Sequence, residues 1–329
     1  MTEAPLLEVS GLGIRIDGTD RDLVSDLSFT LDRGRTLCIV GESGCGKSLT
    51  ALALMGLLAT PPLRVTGGTA TFKGRDLLSL SPPEMRRLRG DRIGMIFQEP
   101  MTSLNPALKI GDQIAEAVRR HTGKSEAEAR AHALEMLRRV RIPAPETRLD
   151  VYPHNLSGGM RQRVMIAMAL ANAPDLVLAD EPTTALDVTI QAQVLDLMRG
   201  LQRDTGSAMI LITHDLGVVA EMADTVAVMY AGQMVETGPV AAIFDNPQHP
   251  YTIGLIASMP SLDGDGGRLV TIPGVVPPAR DMPGGCRFAA RCPFADAQCA
   301  EAPPARVVDG SGHRVACWKA PIETLGAVA

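Results

Sequence analysis

Eight consecutive residues, Gly41-Glu42-Ser43-Gly44-Cys45-Gly46-Lys47-Ser48, have the types and spacing that wrap phosphate. Glycines let backbone N–H groups turn inward around anionic oxygens, and the start of a following helix adds partial positive charge. The lysine reaches the β- and γ-phosphates, and the serine hydroxyl can ligate Mg²⁺. Only five of the 32 basic residues are lysines, and one stands where the pattern demands it. Further on, Leu176-Val177-Leu178-Ala179-Asp180-Glu181 is an apolar run that ends in two carboxylates. Asp180 is placed to hold Mg²⁺ and Glu181 to polarise an attacking water. Leu156-Ser157-Gly158-Gly159-Met160-Arg161-Gln162 offers a hydroxyl and exposed N–H groups at a helix start, a second anion site suited to a γ-phosphate. Alone, the three stretches read as a glycine turn, a strand with an acidic end and an N-cap. In this order on one chain they describe a nucleotide site.

Such residues need rigid carriers. Leu6 to Arg33 alternates in short apolar stretches broken by Asp17-Gly18 and Arg33-Gly34, which predicts antiparallel strands. Thr36 to Val40 reads as a buried strand, and Lys47 to Leu58 as the helix after the glycine loop. Asp91 to Gln98 reads as another strand, and Ile110 to Val140 as two helices parted at Thr122-Gly123. A helix over Gly158 to Asn172 starts behind Ser157. Asp175 to Asp180 and Ala208 to Thr213 are continuous apolar strands separated by a helix over Val188 to Arg203, the alternation of a parallel sheet. Val226 to Glu236 reads as a hairpin turning at Ala231-Gly232. After about Asp245 prolines and glycines accumulate, which sets an expected division into 1–245 and 246–329.

Composition narrows the function classes. The 329 residues are 45% hydrophobic and 21% charged, as in ordinary globular proteins. A formal net charge of −5 gives no broad electrostatic reason to bind nucleic acid. The longest apolar runs, Ala51 to Ala59 and Val164 to Ala171, fall far short of a membrane span. The N-terminus shows no secretory pattern, so a cytoplasmic location is expected, with cysteines reduced.

The ordered motifs resemble the ATPase cassette of ABC proteins. Further stretches fit: Gln98 in Ile96-Phe97-Gln98-Glu99, Ala185-Leu186-Asp187, and His214 after the strand that ends at Thr213. The resemblance implies an α/β fold. It would be an ABC-type phosphate-loop nucleotide-binding domain with an antiparallel β subdomain and a helical subdomain, followed by a small irregular Cys-containing C-terminal domain. It also implies ATP and Mg²⁺ as ligands. Gly41 to Ser48, Ser157, Gly158, Gly159 and Asp187 would bind nucleotide, and Ser48, Gln98 and Asp180 would hold the metal. Glu181, His214, Lys47 and Gln98 would be catalytic. Met160 stands where glutamine is more usual, outside the phosphate-contacting Ser157 to Gly159. No aromatic residue or histidine lies between Gly11 and Ser28, so Arg15 or Ile16 would meet the base, and reduced discrimination between ATP and GTP is expected.

Longer stretches, Phe97 to Pro106, Tyr152-Pro153-His154, Gly159 to Ala167 and His249-Pro250-Tyr251-Thr252, resemble the cytoplasmic ATPase subunit of bacterial oligopeptide and dipeptide importers. The implied partners are a second ATPase subunit, a paralogue before a second copy, two transmembrane permease subunits and an extracytoplasmic peptide-binding protein. The implied location is peripheral, on the cytoplasmic face of the bacterial inner membrane. Nickel or another small solute is the alternative cargo. An exporter ATPase, or a soluble ATPase of DNA repair or translation, is the more distant alternative. Cys286, Cys292, Cys299 and Cys317 are separated by five, six and seventeen residues. From the residues alone an iron–sulfur cluster, a zinc site with His313 as a substitute ligand, and unligated thiols or disulfides all stay open. The resemblance implies a [4Fe–4S] cluster.

Overall fold

Each of two compact units gathers distant chain segments. One comprises the first residues, Leu31–Thr36 and Ser79–Ile212; the other comprises Leu7–Thr30, Leu37–Leu78 and the chain from Thr213 on. The computed structural model describes residues 4–99, 103–184, 186–259, 271–278 and 281–322. Its first five strands are β1 (Leu7–Ile16), β2 (Asp22–Leu31), β3 (Thr36–Val40), β4 (Leu63–Phe72) and β5 (Arg75–Asp76). The next five are β6 (Ile93–Ile96), β7 (Leu176–Asp180), β8 (Ala208–Ile212), β9 (Thr225–Tyr230) and β10 (Gln233–Pro239). Two short strands, β11 (Arg306–Val307) and β12 (Arg314–Val315), lie in the tail.

In the unit that contains Ser79–Ile212, β6, β7 and β8 run parallel, with Leu176 of β7 opposite both Ile93 and Ala208. Every residue of these three strands is buried, so they read as continuous apolar runs instead of alternating ones. The helices Ile110–Thr122 and Glu126–Arg139 pack on each other, and the second also packs on Gly158–Leu170. That last helix carries eight buried residues, Gln162 and Arg163 among them, and packs against β6 and the helix Val188–Thr205.

In the other unit, β1 lies between β2 and β4, and β5 follows β4 at the edge of this antiparallel sheet. β3 pairs in parallel with β9, which turns at Ala231-Gly232 into β10. β12 and then β11 add to that edge. Both turn residues have positive φ, the geometry of a two-residue hairpin loop.

The expected strands at Thr36 to Val40 and around Asp175 to Asp180, the paired helices and the hairpin are present. Others differ at their ends. The helix after the glycine loop stops at Leu54, because Gly56 takes a left-handed conformation and Pro61-Pro62 follow. The strand near residue 95 spans only Ile93–Ile96. β4 and the helix Pro82–Leu88 were not expected. The glycines Gly67 and Gly68 interrupt the alternation of β4, while the helix has a plain signature in the Ser81/Glu84 capping box.

Candidate functional site

The glycine loop leaves β3, a strand buried at every residue. Gly41 has φ +151°, and a Cβ there would lie 2.1 Å from the carbonyl oxygen of Met229 in β9; a Cβ at Gly46 would lie 2.7 Å from Val24 Cγ2. The loop is therefore pressed against its neighbours at both ends, while Ser43 and Gly44 between them are exposed. Lys47 is 5% exposed, and its ammonium donates to the carbonyls of Gly41 (2.8 Å) and Glu42 (3.1 Å), which fixes it inside the loop's curve. The Cys45 carbonyl accepts from Gly232 N–H at 3.0 Å. Burial raises the Cys45 thiol's pKa, partly opposed by the Lys47 charge, so the thiol is neutral. Thr213 N–H donates to the Ile39 carbonyl at 3.3 Å, so the chain leading to His214 runs beside β3. His214 is exposed, and Asp215 after it caps the helix Leu216–Met222. Arg15, expected near the base, donates to Asp22 at 2.7 Å and is held by it.

The other unit carries the acids. β7 delivers Asp180, 6% exposed, at its end. Glu181 then adopts φ +46°, a left-handed backbone that a non-glycine residue keeps only when its surroundings enforce it. Its N–H donates to the Ile212 carbonyl, and its Oε2 accepts from Gln98 Nε2 (3.1 Å) and Thr184 Oγ1 (2.9 Å). Gln98 and Glu181, predicted separately from sequence, thus touch directly. Ser157 Oγ accepts from Met160 N–H at 3.4 Å, so the hydroxyl does cap its helix. Gly158 has open space where a side chain would be, and Ser157 and Gly158 face solvent. A Cβ on Gly159 would lie 2.9 Å from Ile190 Cγ2. Asp187 caps Val188–Thr205 through Ile190 N–H at 3.0 Å. Gln162, buried in the helix behind Ser157, donates to the Pro182 carbonyl and ties that helix to the segment after Glu181. Ala185 and Pro100 to Thr102 lie outside the described residues.

Mg²⁺ in phosphoryl-transfer sites takes one or two protein ligands and completes its shell with phosphate and water. The Ser48 hydroxyl at a helix start and the largely buried Asp180 carboxylate at a strand end have the right donor chemistry for that role.

The tail departs from expectation. Cys286, Cys292, Cys299 and Cys317 are free and lie in one neighbourhood, since the charge of one affects the titration of others and Cys286 N–H donates to the Cys299 carbonyl. Among the described residues, however, no three His, Cys, Asp or Glu side chains converge as a metal-ligand group. The expected four-cysteine [4Fe–4S] site is therefore not supported, nor is its Zn²⁺ alternative. Burial raises the thiols of Cys286 and Cys317, and that of Cys292 to about 11. His313 is committed elsewhere: fully buried, its Nε2 lies 2.8 Å from Glu236.

Two residues with no assigned role in the sequence reading reach the loop. Tyr251 Oη accepts from Glu42 N–H at 2.9 Å, and Arg291 donates to the Glu42 carboxylate at 2.9 Å. In the sequence Tyr251 stands in the His249-Pro250-Tyr251-Thr252 stretch that carries a family likeness, and nothing in that stretch encodes a contact with Glu42.

A glycine loop leaving a buried strand in one unit, and in the other an acidic strand end followed by a left-handed glutamate bonded to a glutamine, are each features of phosphate-binding α/β proteins. Residues 24–184 match the ABC transporter family, and residues 235–299 match the oligopeptide/dipeptide transporter C-terminal region. The oligopeptide transport ATP-binding protein of Salmonella typhimurium is 51% identical over 331 residues, covering 98% of each chain. The dipeptide transport ATP-binding protein of Bacillus subtilis is 54% identical over 295 residues, covering 90% of this chain and 88% of its own. Among solved structures, a dimeric ATP-binding cassette in a post-hydrolysis state with ADP and Pi superposes with a TM-score of 0.63 at 26% identity, covering 71% of this chain and 98% of that one. The chain belongs to the ABC transporter ATPase family, in the branch of these peptide-transport ATP-binding proteins.

Proposed function

We propose that this chain hydrolyses ATP to drive peptide import through partner membrane subunits of a bacterial ABC transporter. The observation that carries the proposal is a likeness running through both the cassette and the tail to relatives named for oligopeptide and dipeptide transport. No helix among the described residues is long and apolar enough to cross a membrane, and in this reading partner membrane subunits supply the path for cargo. In this reading residues 1–245 form the motor and 246–329 a tail. Two permease subunits and an extracytoplasmic peptide-binding protein complete the system. The chain sits peripherally on the cytoplasmic face, paired with a second ATPase subunit that is a paralogue.

The N–H groups of Gly41 to Ser48 cradle the phosphates, and Lys47 and His214 stabilise charge on the transferring phosphoryl group. Ser48, Asp180 and Gln98 would hold Mg²⁺, which would supply positive charge against the phosphates. Glu181, oriented by Gln98 and Thr184, positions or deprotonates the attacking water. Ser157 to Gly159 and Asp187 face the nucleotide held by the partner cassette. Co-purification from membranes with two multi-span proteins, followed by ATPase assays in liposomes, tests the whole reading. Stimulation by binding protein loaded with peptide is expected. Stimulation only when the loaded solute is nickel would replace peptide as the cargo.

A further inference from the structure

The tail touches the phosphate loop directly at Glu42 and indirectly through the Ala231-Gly232 turn, and neither link has a role in the reaction described so far. At the first, Arg291 is 6% exposed as a side chain and pairs with Glu42, the second loop residue, at 2.9 Å. The same guanidinium donates to the carbonyls of Pro273 (2.8 Å) and Ile272 (3.1 Å) and to Tyr230 Oη (3.4 Å), so its fork is fixed on several sides. Tyr251 takes the Glu42 N–H. Tyr230, Tyr251 and Phe288 form one aromatic cluster with centroids 4.8 to 5.5 Å apart, and the Arg291 guanidinium lies over Tyr230 and Phe288. The chain has only ten aromatic residues, and three of them gather beneath this residue. At the second point, Arg287 donates to the Ala231 carbonyl in the turn whose next residue, Gly232, donates to the Cys45 carbonyl.

We infer that Arg291 and Tyr251 are positioning residues for ATP binding: the tail holds Glu42 in place and neutralises its carboxylate at the edge of a loop that must accept a polyanion. This rests on the reading of Gly41 to Ser48 as the phosphate loop. Two physical effects combine. A carboxylate stripped of its buried cation would repel triphosphate at short range. The Glu42 carbonyl also receives the Lys47 ammonium, so displacement of Glu42 moves the lysine's anchor.

The experiment uses the full-length protein and titrates a fluorescent ATP analogue with Mg²⁺, with thermal melting recorded for every variant. Arg291→Met is expected to weaken nucleotide binding by about tenfold, and Arg291→Lys by less, because lysine restores the charge without the fork. Glu42→Gln placed on Arg291→Met is expected to recover most of the loss, since the uncompensated charge is then gone. Tyr251→Phe is expected to weaken binding by a few-fold. Recovery by Glu42→Gln is what a merely structural role of the tail would not produce. Unchanged affinity in a folded Arg291→Met, or no recovery in the double variant, overturns the inference. Lys47→Ala is the separate control: if it binds nucleotide normally, the phosphate-loop reading itself fails.

Discussion

Glu181 is one of seven non-glycine residues with a left-handed backbone among the described residues, and the one that forms, with Asp180, two adjacent carboxylates at the end of a strand. A left-handed φ on a glutamate costs on the order of 1–3 kcal/mol, and the structure enforces it with an N–H donated to Ile212 and two donors on Oε2. Relaxing this turn would free the carboxylate to swing, so the strained backbone holds the proposed base in one orientation. Replacement by glutamine keeps size and hydrogen bonding but removes the ability to take a proton. Glu181→Gln is therefore expected to retain ATP affinity while turnover falls by roughly 10²–10⁴, read by phosphate release beside nucleotide titration. Near-normal hydrolysis would take Glu181 out of the catalytic role. The candidacy of Glu181 as a base was legible in the sequence, because an apolar strand ending in Asp-Glu follows a glycine loop on the same chain. Its conformation was not, since the positive φ is set by Ile212 and Gln98, 31 and 83 positions away.

Among the elements, the helix Pro250–Ala257 shows how a local cap becomes a pH dependence. His249 is its N-cap: Nδ1 accepts from Tyr251 N–H, while the backbone N–H of His249 donates to the buried Glu236 carboxylate. Protonation would remove the acceptor, and burial pushes the imidazole down to about 3. An unfolded histidine titrates near 6.5, so between about 6.5 and 3 the unfolded chain binds a proton that the folded one refuses. This contribution to stability is present in full above pH 6.5 and is lost as pH falls, by up to about 1.4 kcal/mol per pH unit. Urea unfolding at pH 7, 6 and 5 should show that slope, and His249→Asn, which keeps a cap acceptor without the titration, should flatten it by one proton. An unaltered slope would assign the dependence to other groups. The elements themselves divide by how local their cause is. The helices Ile110–Thr122 and Glu126–Arg139 and the β9–β10 hairpin follow from turn signals in their own sequence. The tail's attachment to the loop comes from Arg291 meeting Glu42 across 249 positions, which no periodicity encodes. The four cysteines differ for a related reason: spacing along the chain does not determine which side chains converge, and among the described residues no three ligand-type side chains do.

For the whole molecule, the decisive surface is the one around the Ser157 helix start. Ser157 and Gly158 are exposed, Asp187 is exposed, and the neighbouring Val188 is 84% exposed, an apolar side chain left in water at the start of an otherwise amphipathic helix. Gly159 touches Ile190 closely, so these two segments form one face. A face that offers N–H donors and an apolar contact suits a second cassette that presents the phosphates of its bound nucleotide. ATP shifts such an association only by its differential affinity for the closed pair, so slow hydrolysis should populate that pair. The Glu181→Gln variant with ATP and Mg²⁺ is thus expected to sediment as a heterodimer when mixed with a paralogous ATP-binding subunit carrying the equivalent change, and as a monomer alone. Val188→Asp should abolish that association while leaving nucleotide titration of the single chain unchanged. A stable ATP-dependent homodimer would replace the paralogue with a second copy. Association indifferent to Val188→Asp would move the interface away from this face.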